Sequence, residues 1–189
     1  RASAQLISYE IAVTITLVSV ILTAGTLNLV EIVEAQRDAG VWFGFLQPVA
    51  LVLVFIGGLA ETNRVPFDLP EAETELTGGF HTEYSGMRFS LFFLAEYANI
   101  IVISAVVVIM FMGGWLAPFS NVPAFDFFDI IPGWIWFIGK IFIFLYVFIW
   151  LRATLPRYRY DQLMNIGWKV LIPIALGNLV ITGIAKVVF

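Results

Sequence analysis

The chain has 189 residues, of which 60% are hydrophobic and 13% are charged, and its formal net charge is −4 at pH 7. Soluble domains carry about 25% charged residues, so this composition excludes a water-soluble globular fold and predicts a membrane protein. The sequence has no cysteine and a single histidine, His81. Thiolate ligation of zinc or of iron–sulfur clusters is therefore excluded in this chain, and one histidine cannot build a haem or metal site alone.

Five segments are apolar over about 20 residues, the length that a helix needs to cross a bilayer. They are residues 6–30, 42–60, 89–116, 131–151 and 165–188. We therefore predict a single all-α domain, a polytopic transmembrane helical bundle. Pro48 interrupts the start of the second span, and we place it in the first turn of that helix, where proline is tolerated.

The basic residues predict which loops face the cytoplasm. Five spans place the N-terminus and the loops at 61–88 and 152–169 on one side, and the loops at 31–41 and 117–130 and the C-terminus on the other. The first side carries seven of the ten basic residues: Arg1, Arg64, Arg88, Arg152, Arg157, Arg159 and Lys169. The second side carries Arg37 and Lys186. Because cytoplasmic loops are enriched in lysine and arginine, the first side is predicted to face the cytoplasm or the mitochondrial matrix.

A short helix is predicted at residues 69–77 of the acidic loop. Asp68 is a favourable N-cap, Glu71 stands three residues later as in a capping box, and Gly78-Gly79 ends the helix. This helix is expected to lie at the inner membrane surface.

The loop and the end of the second span bring four carboxylates together in sequence. Glu71 and Glu75 are one helical turn apart on one face, Glu73 is on the opposite face, and Glu61 ends the second span. A solvated acidic helix is the alternative interpretation. Carboxylates crowded beside hydrophobic spans raise one another's pKa values and share protons, so the setting favours a proton relay.

Glu10, Glu96 and Lys140 lie well inside predicted spans. Glu10 and Glu96 are expected at comparable depth below the cytoplasmic boundary, on two different helices, and we interpret both as proton-relay residues. Lys140 is near the middle of the fourth span, where it needs a carboxylate or carbonyl partner, and it is a further relay candidate. For each residue the alternative is a buried ion pair that holds helices together.

Two further groups are candidates for ligand or partner binding. Arg64 and Asp68 bracket Phe67 in a proline-containing turn, which predicts either a structural ion pair or the polar mouth of an aromatic-walled pocket. After the fourth span, Arg157, Arg159 and Asp161 form a polar segment that anchors the topology or docks a soluble partner.

Long motifs of the chain resemble one family of membrane proteins. They are Ile7-Ser-Tyr-Glu10, Ala60-Glu-Thr-Asn-Arg-Val-Pro-Phe-Asp-Leu-Pro-Glu-Ala-Glu-Thr-Glu-Leu76, Glu83-Tyr-Ser-Gly86, Leu91-Phe-Phe-Leu-Ala-Glu-Tyr-Ala-Asn99 and Leu155-Pro-Arg-Tyr-Arg-Tyr-Asp-Gln-Leu-Met164. Together they resemble the H subunits of the proton-pumping NADH:quinone oxidoreductases (respiratory complex I; NADH dehydrogenase subunit 1 in mitochondria). Because that family has about eight spans, the resemblance implies that this chain corresponds to the C-terminal part, with about three N-terminal spans missing.

The resemblance implies a function that composition cannot reveal. It implies a protein that forms much of a quinone-binding chamber and couples quinone reduction to proton translocation. Arg64, Phe67 and Asp68 would line the chamber, and Glu10, Glu61, Glu71, Glu73, Glu75 and Glu96 would link it to antiporter-like subunits. Quinone is then the substrate, FMN and iron–sulfur clusters belong to partner subunits of the peripheral arm, and the location is a bacterial inner membrane or the mitochondrial inner membrane.

Two alternatives remain open at this stage. Related subunits occur in membrane-bound nickel–iron hydrogenases, in F420-dependent dehydrogenases and in the ferredoxin-using photosynthetic complex. An independent ion channel or carrier is disfavoured, because the acidic groups concentrate at one membrane edge instead of at a midplane site between repeats.

Overall fold

A computed structural model of the chain describes residues 2–62, 67, 86–118, 130–156 and 158–188, with side chains from residue 6 onward. All regular structure in these ranges is helical. The helices are α1 (Ala2–Ala24), α2 (Leu29–Ala39), α3 (Phe43–Leu46), α4 (Pro48–Glu61), α5 (Met87–Phe111), α6 (Gly133–Thr154), α7 (Tyr160–Ile166) and α8 (Ile172–Val188). A π-helical turn, Gly167–Leu171, joins α7 to α8.

Four of the described helical segments are long and apolar enough to cross a membrane: Leu6–Ala24, Met87–Phe111, Gly133–Thr154 and Tyr160–Val188. Helix α4 is apolar but has 14 residues, which corresponds to about 21 Å and is shorter than a bilayer core. The predicted all-α, multi-pass membrane fold is confirmed.

The first predicted boundary, a span over 6–30 followed by a loop at 31–41, is wrong. Helix α1 ends at Ala24, because Gly25 adopts a left-handed conformation with φ of 78°. The Asn28 side chain then accepts a hydrogen bond from the Val30 N–H and starts α2. The segment expected to be a loop is therefore a second, amphipathic helix, whose buried face includes Ile32 and Gln36.

The second predicted span, 42–60, is two helices instead of one. Gln47 has non-helical backbone angles (φ −128°, ψ 63°) and separates α3 from α4. Pro48 occupies the first turn of α4, as predicted. The break follows from the missing N–H of proline, which cannot continue a helix that started before it.

The remaining boundaries shift by a few residues. The third span, predicted over 89–116, is α5 and ends at Phe111, because Gly113 and Gly114 have positive φ values of 68° and 51°. The fourth, predicted over 131–151, is α6. The fifth, predicted over 165–188, begins at Tyr160 and contains the π-helical turn. The predicted surface helix at 69–77 lies outside the described residues.

Contacts between helices define two ends of the bundle. At the first end, the hydroxyl of Tyr9 on α1 donates to the carbonyl oxygen of Leu163 on α7. At the second end, Lys186 on α8 donates to the carbonyl oxygen of Thr23 near the end of α1. Helices α1 and α8 therefore run parallel, so the N-terminal side of α1 and the segment after α6 share an end, as the predicted alternation requires.

Helices α1 and α4 pack closely because α4 carries Gly57 at the contact. A Cβ atom on Gly57 would lie 2.0 Å from Cγ2 of Val13 on α1. A similar close approach occurs at Gly58, where a Cβ would lie 2.6 Å from Cγ2 of Ile103 on α5. Small residues at such contacts allow helices to approach within a membrane. Gly57 brings the end of α4 against α1, where the carboxylates of the candidate site lie, and Gly58 brings it against α5.

We expect Gly57→Ala to lower the stability of the assembled protein by about 1 to 3 kcal/mol, because the added methyl group overlaps the stiff side chain of Val13. The thermal unfolding midpoint in detergent measures the effect. Gly139→Ala is the matched control, since a Cβ there meets nothing within 4 Å. Equal midpoints for the two variants would contradict the close contact between α1 and α4.

Candidate functional site

Two carboxylates predicted as relay residues share one cavity at the first end. Glu10 on α1 and Glu61, the last residue of α4, line a cavity of about 130 Å³. Its other lining residues are Leu6, Tyr9, Val13 and Gly57. Burial raises the pKa of Glu61, and the negative charge of Glu10 raises it further. Both effects favour the protonated form of the Glu61 carboxyl group.

An aromatic cluster, of which two rings are buried, adjoins this cavity. The ring of Tyr9 packs edge-to-face against Phe67, with ring centroids 5.2 Å apart, and Phe67 in turn lies 6.4 Å from the ring of Tyr158. Tyr9 and Phe67 are both buried. The Tyr9 hydroxyl reaches the carbonyl oxygen of Leu163 at 3.0 Å. Phe67 is a predicted chamber residue, whereas the tyrosines around it were not identified from the sequence because they come from distant segments.

Glu96 lies on a different helix from the other two carboxylates. It is half-buried on α5 and is not among the residues that line the Glu10–Glu61 cavity. Its neighbour Tyr97 instead lines an apolar cavity of about 190 Å³ between α5 and α6, with Arg152 also in its wall. The other lining residues are Ile100, Ile101, Leu145, Phe148 and Ile149.

Lys140 binds backbone carbonyls at the second end. Its Nζ atom donates to the carbonyl oxygens of Met112, Gly114 and Leu116 at 2.7, 3.0 and 2.6 Å. The ammonium group also lies 4.5 Å from the ring centroid of Trp42. The expectation of a carboxylate or carbonyl partner is confirmed in its carbonyl form. A cation at this position also complements the negative end of the α5 dipole.

Several predicted site residues are exposed or lie outside the described ranges. Arg159 and Asp161 are exposed at the start of α7, and the backbone N–H of Arg159 donates to Oε1 of Gln162. The residues outside the described ranges are Arg64, Asp68, Glu71, Glu73, Glu75 and Arg157. In the ranges that the structure does describe, no group of three or more His, Asp or Glu residues could hold a metal ion.

Sequence reasoning missed a buried polar cluster at the second end. It joins Ser19 on α1, Gln47 before α4 and Asn178 on α8. Two signals could have indicated it. Gln47 is a polar residue inside an apolar run, and Thr16, Ser19 and Thr23 recur at helical spacing within the first span.

The chain has close relatives of known family. The NADH dehydrogenase family profile matches residues 1–183. The NADH-quinone oxidoreductase H subunit of Rhodospirillum centenum is 52% identical over 189 residues, covering 100% of this chain and 54% of the relative. The H subunit of Rickettsia typhi is 53% identical over 181 residues, which cover 96% of this chain and 52% of the relative. H subunit 1 of Geobacter sulfurreducens is 52% identical over 184 residues, which cover 97% of this chain and 50% of the relative.

The chain thus spans about half the length of the curated relatives that it matches. The matched region includes the helices that carry Glu10, Glu61 and Glu96. The extent of the profile match and the level of identity show that the chain belongs to the NADH dehydrogenase family.

Proposed function

We propose that this chain helps to form the quinone-binding chamber of a proton-translocating NADH:quinone oxidoreductase and couples quinone reduction to proton movement. The observation that carries the proposal is the placement of Glu10 and Glu61 on one cavity, beside the Tyr9–Phe67–Tyr158 cluster. A site that handles both a flat quinone ring and protons needs these two kinds of side chain close together. The relatives, which are named as H subunits of NADH-quinone oxidoreductase, support the same assignment.

The quinone side of the proposal rests on aromatic and apolar surface. A quinone has a flat ring, two carbonyl oxygens that accept hydrogen bonds and a long apolar tail. The aromatic cluster around Phe67 suits the ring, and Arg64 and Asp68, its near neighbours in sequence, supply polar groups for the carbonyl end. The apolar cavity at Tyr97 and Arg152 adds a second surface of the same chemical character.

The proton side rests on the charge change at the quinone. Reduction of a quinone to a quinol takes two electrons and two protons, so negative charge develops before the protons arrive. That charge raises the proton affinity of nearby carboxylates, and the negative charge of Glu10 adds to this effect at Glu61. We propose that Glu71, Glu73, Glu75 and Glu96 extend this relay, while Lys140, which is held by three carbonyl oxygens, acts mainly by holding the bundle together.

Electron delivery and assembly are assigned to other subunits. With no cysteine in the chain, the iron–sulfur clusters and FMN are expected in peripheral-arm partners, which dock near Arg157, Arg159 and Asp161 on the cytoplasmic or matrix face. Antiporter-like subunits are the expected partners within the membrane. The bacterial relatives favour the bacterial inner membrane.

Co-purification tests the proposed function. Affinity purification of the tagged protein from mild-detergent extracts is expected to recover flavin- and iron–sulfur-containing chains together with NADH-driven quinone reduction. A mock purification from untagged cells is the control. Recovery of a nickel–iron subunit, or of the chain without redox partners, would overturn the assignment.

A further inference from the structure

A cavity with polar groups in a mostly apolar wall opens at the second end, away from Glu10 and Glu61. It has a volume of about 340 Å³ and lies between the end of α1, the α3–α4 break and α8. Its polar lining comes from Thr23, Gln47, Asn178, Thr182 and Lys186, and its apolar lining from Leu46, Ile181 and Ala185.

The cavity leads to a hydrogen-bonded cluster inside the bundle. The Ser19 hydroxyl lies 2.6 Å from the carbonyl oxygen of Thr16 and 3.1 Å from Oε1 of Gln47, and it accepts a hydrogen bond from Nδ2 of Asn178 at 3.0 Å. The Gln47 Nε2 group also donates to Thr23 Oγ1. Thr16 and Ser19 have no exposed surface, and Gln47 is 7% exposed. Polar groups this deep in a membrane bundle are costly, which favours a functional role for them.

The lining groups have hydrogen-bonding capacity left over. Lys186 carries three donor hydrogens, and its Nζ donates to the Thr23 carbonyl oxygen at 3.0 Å. Within the described part of the chain, Oδ1 of Asn178 accepts no hydrogen bond. A cavity of this size can hold ordered water where polar groups bind it, and Lys186 and Asn178 supply such groups here.

We propose that this cavity is a water-filled vestibule that connects the second membrane surface to the buried Ser19, five residues before the end of α1. Val13 lines the cavity that holds Glu10 and Glu61, and it lies six residues before Ser19 on α1. The rise of an α-helix makes this separation about 9 Å. Between them, Thr16 is buried. The ligand of this site is water or hydronium, and the inference does not depend on the quinone role of the first end.

Single cysteines test the vestibule, because the chain has no cysteine of its own. Thr182 lines the cavity, and cysteine is close to threonine in size. Only 9% of the Thr182 surface is exposed, so the thiol at this position is reached through the cavity. Val180→Cys is the control, since Val180 is 59% exposed on the same helix but does not line the cavity. Sided membrane vesicles with the assembled protein are treated with a charged, membrane-impermeant thiol reagent.

We expect Thr182→Cys to react about tenfold faster than Val180→Cys, because the reactive thiolate forms in water and is suppressed in apolar surroundings. Arg88→Cys marks the first end and is expected to react with reagent on one side of the membrane. Thr182→Cys is expected to react with reagent on the opposite side. Ala185→Cys provides a second lining position in case Thr182→Cys does not assemble. Equal rates at positions 182 and 180, or labelling only from the side of Arg88→Cys, would overturn the vestibule.

Discussion

Lys140→Met is expected to lower the free energy of unfolding of the assembled protein by about 2 to 4 kcal/mol. The buried carbonyl oxygens would lose their hydrogen-bond donor, and no water would replace it. Lys140 is 4% exposed, and its ammonium group satisfies three carbonyl oxygens just beyond the end of α5. No helical N–H replaces it there, since Gly113 and Gly114 turn the chain away from the helix. The thermal unfolding midpoint in detergent measures the loss.

Lys186→Met is the matched control. Lys186 also donates to a carbonyl oxygen, but it is exposed and donates to that one acceptor, on Thr23. We expect its unfolding midpoint to change little. If Lys140→Met were as stable as Lys186→Met, the carbonyl site would not be structural. If it were stable but lost proton translocation, Lys140 would be a relay residue instead.

The apolar spans could be predicted from the sequence because their composition leaves few alternatives, whereas their ends could not. The end of α1 depends on Gly25 adopting a left-handed conformation, and the break before α4 depends on Gln47 leaving the helix ahead of Pro48. Each boundary depends on the backbone conformation of one residue. Average hydropathy over a window of 20 residues does not resolve such a change, so the sequence predicts a loop where α2 forms.

For the candidate site, too, the sequence predicts which residues are involved but not how the fold arranges them. The cost of charge in a membrane was enough to single out Glu10, Glu61 and Glu96. Which of them share a cavity depends on how closely helices approach, and Gly57 sets that distance for α1 and α4. Lys140 was correctly expected to need a partner, but the carbonyl oxygens that it binds come from a turn whose path is not encoded by local spacing.

Glu61→Gln is expected to lower quinone reduction and the accompanying proton uptake by about a hundredfold, the lower end of the range for one acid–base group in catalysis. Glutamine keeps the shape and hydrogen-bonding capacity of the protonated acid but cannot release a proton. NADH-driven quinone reduction and proton uptake in sealed vesicles measure both effects. Glu34→Gln is the control, because Glu34 is an exposed carboxylate on α2, near the second end.

Glu10→Gln and the double variant decide whether the two carboxylates act as one unit. Residues that share a proton are not independent, so their losses are not expected to add. If Glu10 and Glu61 hold one proton between them across the shared cavity, the double variant should be no slower than the slower single variant. Losses that multiply would mean two separate carriers, and normal proton uptake in Glu61→Gln would remove this cavity from the proposed relay.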